Sequence, residues 1–558
     1  MFSWGGLEGP KAPPDLPSGG GVGAAQPPPH PTKAALSKEE KRLNEPNGRY
    51  PVPPFLVDEN PAHEQYNEAT ELFALFDYLK SQRFGVFSIR ESLQAVGERR
   101  DGTLQGFHLS AEEAWDCVAF VASLDVGVVE LPAYPANRYG QAFNQQLIAR
   151  ADAEGLPVEF AAHARCVDED IYAAQSAGIR RLHLYIGTSK IKQATARKNI
   201  PQIAEKAFES VRLARELGFA SVRISTEDAF RTTLDDYEGF YAHLQARLAE
   251  HNLQVDGIGI PDSVGVSTLR ELGERIALLR KVGIDFSFLE CHIHNDIGNA
   301  DRSYVDTLLL CMRLGITMLP DFSILGIGER NGTIGLSSLL EAIYRRLIWL
   351  YPRKMSQIRQ AMREKLGRLP SPGLSGDEGG ELFVNRYRDM DAYFYHILSR
   401  LGFVFDRSPF SANTEFDGSG VHADTTMRAY QLALSEGLVG QHAIDQGNSA
   451  YAGALPPYDM PLRTPVLACF GCGKSNVRYW RERERLTLRP VAELRERIAQ
   501  LEDIESFDLD RSLNETVMDE LIAQLIRCYS IKLNGITHQE AMELTQLFYA
   551  PADEVAVA

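Results

Sequence analysis

No stretch of this 558-residue chain approaches the roughly 18 uncharged apolar residues of a membrane-spanning helix. Positive charge is not in excess either: 58 Lys and Arg face 75 Asp and Glu, a formal net charge of −17. Nucleic acids and anionic membranes are held through clustered positive charge, so neither is an expected partner. Small anionic substrates respond to the local field and stay open. Cysteine is sparse: Cys117, Cys166, Cys291, Cys311, Cys469, Cys472 and Cys528 are scattered and odd in number. That excludes a disulfide framework and suits a reducing compartment. The first residues lack a basic run followed by an apolar core, so no signal peptide is expected and the protein reads as soluble and cytoplasmic.

Apolar residues, by contrast, make up 44% of the chain and aromatics 9%, ample for a large core. The length exceeds one average domain. Residues 1–45 are rich in Gly and Pro and are expected to be a disordered tail, because they have too little apolar surface to offset their entropy. A helical pattern at 64–82 leads into a regular alternation. Short β-branched and aromatic runs at 85–91, 127–133, 157–165, 180–187, 220–226, 255–261, 286–294 and 316–325 are separated by apolar-periodic helical segments, several closed by Gly. The economical fold is α/β: a (β/α)8 TIM barrel over 64–353, with a doubly wound open sheet as the alternative. A linker at 371–384 precedes a helical subdomain at 380–440 and a helical extension at 441–558. Within the extension, residues 482–503 read as one charged amphipathic helix.

Barrel chemistry sits at strand C-termini and the loops that follow. Strand seven ends in His292-Ile-His294-Asn-Asp; strand alternation puts both imidazoles on one face, half of a divalent-metal site. Strand one ends in Arg90-Glu91, which offers the missing anionic ligand; the bland reading is a salt bridge. Two His and one carboxylate leave open positions on the ion for a bidentate ligand, and suit Zn, Mn, Mg or Co alike. On strand five, Arg223, Ser225 and Glu227 share a face. An Arg inside a barrel needs an anion: either an internal carboxylate, or the carboxylate of a substrate. Strand three repeats the pattern with His163 and Arg165. After strand eight, Gly326-Ile-Gly328-Glu-Arg-Asn331-Gly lies where such barrels often hold a phosphate or cofactor, although a plain tight turn explains the glycines equally.

The motifs SIRESLQ (88–94), HARC (163–166), IGTS (186–189), VRISTEDAFR (222–231), PDSVG (261–265), HIHND (292–296) and SILGIGERNG (323–332) occur in an order that resembles the homocitrate synthase and 2-isopropylmalate synthase family, its homocitrate synthase branch above all. The resemblance implies a Claisen condensation of acetyl-CoA, or another acyl-CoA, with a 2-oxo acid. Glu91, His292 and His294 would hold the metal, and Arg90, Glu227 and His422 would act in catalysis. Gln94, His163, Arg223, Ser225 and Ser263 would contact substrate, with Arg223 and Ser225 on the distal carboxylate of 2-oxoglutarate. Gly326, Gly328 and Asn331 would border a cofactor. The segment EFDGSGVHADT (415–425) is similar to the family's small C-terminal motif, but Asp417 stands where a first histidine is expected. A homodimer is implied.

Two other classes use the same residues: a carbon–carbon lyase or decarboxylase on the same metal barrel, and a sensor that binds a 2-oxo acid without turnover. A condensing enzyme for a different 2-oxo acid in a specialised pathway is a third variant. Cys469-Phe-Gly-Cys472 is half a zinc site, a redox pair or two ordinary thiols.

Overall fold

The computed structural model describes residues 74–75, 85–124, 126–132, 138–350, 391–407, 412–451, 459–501 and 512–551. The Gly/Pro tail, nearly all of the leading helix and the linker at 371–384 lie outside these residues.

Eight parallel strands close into a barrel in sequence order. They are β1 Val86–Ser88, β2 Val128–Pro132, β3 Glu159–Arg165, β4 Arg181–Gly187, β5 Ser221–Glu227, β6 Gly257–Gly259, β7 Phe288–Cys291 and β8 Met318–Ser323. Each coincides with a run expected to be extended, β5 passing its run by one residue at Glu227, and helices fill the gaps, so this is the (β/α)8 TIM barrel and not an open sheet. Helix starts are specified locally: Ser110 with Glu113, Asn199 with Gln202 and Thr268 with Glu271 each form a reciprocal capping box.

Strand alternation sorts the barrel interior into layers. The lowest is apolar, with Val86, Val128, Ala161 and Leu319 packed together. Two residues further along the same strand faces the interior becomes polar and charged: Ser88, Glu130, His163, His183, Arg223, Glu290 and Asp321. The opposite face of β5 presents Val222 and Ile224, both fully buried. The change from apolar floor to ionic middle happens within one pleat.

The described residues beyond the barrel are mainly helical, with helices at Gly420–Ser435, Gln441–Asn448, Lys474–Arg483, Val491–Ala499, Glu515–Lys532 and His538–Gln546. A second core joins them, including Leu467, Val477, Met518, Ile522 and Phe548. Val96 belongs to this core too. It comes from a hairpin, Val96–Glu98 with Leu104–Gly106, inserted after β1. Gly106 N–H donates to the Ala468 carbonyl at 2.6 Å, so this insertion ties the barrel to the C-terminal region. The single helix expected over 482–503 is not formed. Leu486–Leu488 is a strand paired with Tyr549–Pro551, and Pro490 caps a fresh helix beginning at Val491. Proline lacks the N–H a continuing helix requires and restricts the residue before it, so the charge pattern was overruled at that point.

Candidate active site

The local chain path decides which side chains reach the barrel mouth. β1 stops at Ser88, whose hydroxyl accepts from Glu91 N–H at 3.0 Å and so caps a short helix, Ile89–Leu93. Arg90 and Glu91 therefore leave from a helical turn rather than from the strand end. Ser88 Oγ also donates to Glu130 at 3.0 Å. Arg90 is held by three partners: Glu91 at 2.6 Å, Glu130 at 2.9 Å and Gln94 at 2.9 Å. This much of the bland salt-bridge reading is correct, yet Glu91 keeps a second neighbourhood.

His292 Nε2 lies 3.6 Å from Glu91 Oε2 and 3.1 Å from His294 Nε2. The three ligand atoms fall within 4.8 Å of one another. Two adjacent ligands about 2.1 Å from a common ion stand about 3 Å apart, which is the spacing of the two ring nitrogens. His292 Nδ1 bonds Asp321 Oδ2 at 2.7 Å, the carboxylate–histidine support that aims metal-ligating imidazoles. Burial pulls His292 down, but Asp321 and Glu91 hold it above its usual value; burial lowers His294 well below it. The donor set fits a divalent ion and does not select among Zn, Mn, Mg and Co.

A cavity of about 1060 Å³ opens over this triad. Its wall includes Arg90, Gln94, His163, Arg223, Ser225, Glu227, Ser263 and His422, so eight residues expected to be catalytic or substrate-binding meet at one place. His163 stacks on Tyr185 with ring centroids 4.3 Å apart, and burial together with Arg90 pushes it down to about 3, so it is neutral. Arg223 is 3% exposed and pairs closely with Glu290, with Glu130 at 3.7 Å. Its Nε–H has no partner. Ser263 Oγ accepts from Asp228 N–H at 2.9 Å, leaving its own proton to point elsewhere. Arg165 sits apart from this ionic layer, forked onto Asp170 at 2.7 and 2.9 Å.

Of the loop after β8, Glu329 lines the cavity. Gly326, Gly328 and Asn331 are buried and absent from the wall. A Cβ on Gly328 would lie 2.5 Å from Glu91 Oε1, so this glycine makes room for the carboxylate of the candidate metal site. Glu329 N–H, next in the chain, donates to that same oxygen at 3.1 Å. Arg330, 1% exposed, pairs with Asp296 at 2.7 Å, and Asn331 donates to the Asp296 carbonyl at 3.3 Å. HIHND and GIGERNG are thus one packed unit. Gly328→Ala is expected to displace Glu91 and weaken metal binding about 10- to 100-fold, comparable to losing a supporting contact. Metal titration of the apo-protein measures this.

Among the residues of the site that escaped the sequence reading are Glu130, Asp321, Lys192 and Tyr451. Counting by twos from the floor of β2 and β8 finds the first two; nothing local marks the others. Tyr451 OH donates to Glu227 Oε1 at 2.8 Å, and its ring stacks on His422 with centroids 3.6 Å apart. His422 Nδ1 meets Glu329 at 2.9 Å, and burial pushes the Glu329 carboxyl up to about 7. These C-terminal residues and the barrel belong to the same chain.

Asp417 is not in this group. It is fully buried on Arg463 at 2.8 Å, in the short pairing of Phe416–Asp417 with Thr464–Pro465. Cys469 and Cys472 are buried thiols, Cys469 donating to the Gly418 carbonyl at 2.6 Å. Among the described residues, neither belongs to a cluster able to hold a metal.

Residues 100–364 match the HMGL-like family model. A mitochondrial homocitrate synthase of Schizosaccharomyces pombe is 34% identical over 191 residues, 34% of this chain and 42% of that protein. The cytosolic homocitrate synthase isozyme of Saccharomyces cerevisiae is 34% identical over 188 residues, 33% of this chain and 40% of its own. A 2-isopropylmalate synthase from Buchnera aphidicola subsp. Rhopalosiphum padi is 35% identical over 190 residues, covering 32% and 34%. The chain therefore spans less than half the length of these curated relatives. The family resemblance read from the motifs agrees with these matches.

Proposed function

We propose that this protein condenses an acyl-CoA, acetyl-CoA foremost, with a 2-oxo acid, and that 2-oxoglutarate is the favoured acceptor. The observation that carries the reading is one cavity uniting the Glu91–His292–His294 triad, the Arg223–Ser225 pair and the Glu227–Tyr451–His422 group. The names of the matched homocitrate and 2-isopropylmalate synthases support the reaction class.

A divalent ion held by Glu91, His292 and His294 would polarise the 2-oxo group and offset charge developing on its oxygen. Arg90, anchored by Glu130 and Gln94, adds a fixed cation for that same oxygen. Glu227, with Tyr451 and His422, takes a proton from the thioester methyl. The resulting enolate carbon bonds to the 2-oxo carbon, and the alkoxide formed there is reprotonated. Water then cleaves the thioester, releasing CoA and a homocitrate-type 2-hydroxy acid. Ser263 donates its free hydroxyl proton to the acceptor, and neutral His163 lines the acceptor's approach. Arg223 gives Nη2 to Glu290; its guanidinium lines the cavity wall and keeps Nη1 to donate to a distal carboxylate. A homodimer is proposed on the resemblance alone, since the cavity wall described here comes from one chain.

CoA release from acetyl-CoA against a panel of 2-oxo acids, with and without divalent metal, tests this. Metal-dependent release with 2-oxoglutarate is the expected outcome. Arg223→Ala is then expected to cost 2-oxoglutarate about 2–5 kcal/mol in kcat/KM, with a smaller loss for 2-oxo acids lacking a distal carboxylate. Equal losses for all acceptors overturn the acceptor assignment, and release of CoA from no acceptor overturns the reaction.

A further inference from the structure

Lys192 stands behind the proposed proton-handling group without touching the cavity. It lies in the short helix Lys190–Ala196 that follows β4, is 6% exposed, and does not belong to the cavity wall. Its ammonium reaches Glu227 Oε1 at 2.9 Å and contacts the Tyr451 hydroxyl still more closely. It also lies 3.6 Å from the centre of the Tyr451 ring. The space for this side chain is specific: a Cβ on Gly187, the last residue of β4, would fall 2.8 Å from Lys192 Cγ.

A buried ammonium needs an anion, and Glu227 is the carboxylate it meets. Glu227 in turn receives Tyr451 OH on the same oxygen. The groups facing this cluster are His422, stacked on Tyr451 and backed by Glu329, and Tyr185 on β4, which senses the charge of Glu227. Burial holds His422 well below its usual value, so Lys192 is the foremost cation acting on Glu227, with His422 contributing less.

We propose that Lys192 is a positioning residue for proton transfer: its ammonium keeps Glu227 ionised and aims the Tyr451 hydroxyl at that carboxylate. This rests on the reading that Glu227 and Tyr451 handle the proton. Burial favours the protonated form of Glu227, yet the carboxyl is held below its usual value, with Lys192 the largest opposing cause. A base must be ionised to work. Loss of the ammonium therefore raises the pH at which Glu227 becomes competent.

The test is an infrared titration of the metal-loaded full chain, in which the Glu227 carboxylate band is assigned by difference against Glu227→Gln. Lys192→Met is expected to raise the Glu227 midpoint by about one to three pH units, the usual effect of an opposite charge at this range. Lys192→Arg is expected to bring it back towards the parent value. A midpoint that does not move in Lys192→Met overturns the proposal, because Met fills the same space without charge. If Lys192→Met does not fold, judged by its melting curve, Lys192→Gln takes its place with the same expectation. With a 2-oxo acid that supports CoA release, the acid limb of kcat is expected to move upward by the same amount, while KM for that acid changes less than kcat. A parent protein that releases no CoA with any acceptor refutes the functional reading, and the infrared midpoint still decides the role of Lys192.

Discussion

His292→Ala is expected to leave the protein without stoichiometric divalent metal after dialysis and to lower turnover at least about 10³-fold, the several kcal/mol that Lewis-acid polarisation is worth. The reason is geometric. His292 and His294 present ring nitrogens 3.1 Å apart, a distance at which a hydrogen bond needs a proton on one ring whereas a shared ion uses both lone pairs. With His292 gone, Glu91 and His294 alone form too poor a site to compete with water. Asp321→Asn makes the matching control. It keeps every ligand but removes the carboxylate that fixes His292 at 2.7 Å, and is expected to weaken metal affinity only about 10- to 100-fold. Elemental analysis reads both. Full metal content in His292→Ala overturns the ligand set.

Asp417→Ala is expected to destabilise the fold by about 3–5 kcal/mol, measured as a shift in the urea unfolding midpoint. Arg463 is 1% exposed and relies on Asp417 as its counter-charge, so truncating the carboxylate leaves a buried guanidinium uncompensated. Replacing the pair together, Asp417→Ala with Arg463→Met, is expected to recover most of that loss, because no unpaired charge remains. The result separates two roles for a residue that the family resemblance places at a histidine position. Were Asp417 a proton carrier, its Ala variant would keep its stability and lose turnover. The pairing with Arg463 instead predicts lost stability, with the folded fraction retaining activity.

The two variants probe opposite ends of what was legible in the sequence. The candidate metal ligands are one case: His292 and His294 are marked by their His-x-His spacing, and Glu91 by closing the first extended run, although the structure carries it on a helical turn. The Asp417 partner is the other, since Arg463 lies 46 positions downstream and no periodicity connects them.

The glycines after β8 show the same divide on a smaller scale. Their spacing admitted either a cradle or a tight turn, and it could not show the 2.5 Å between a Gly328 Cβ and Glu91 Oε1, a contact across 237 positions of chain. Residues 482–503 show a local conflict instead. Charge periodicity favoured one helix, while Pro490 and the pairing of Leu486–Leu488 with Tyr549–Pro551 divided it.

The sequence by itself determined the barrel, because alternation of extended and helical runs is written in side-chain periods of 2 and 3.6 that need no distant partner. It determined the Arg223–Ser225–Glu227 face for the same reason, since residues two apart on a strand share a face, and it marked His292 and His294 as a pair; that Glu91 joins them from a helical turn is a matter of tertiary structure. Only the tertiary structure decided that Glu130 anchors Arg90, that Asp321 aims His292, that Tyr451 and Lys192 converge on Glu227, and that Asp417 is a structural anion. Each of those depends on contacts between elements far apart in the chain, and such contacts are set by packing and charge pairing in three dimensions.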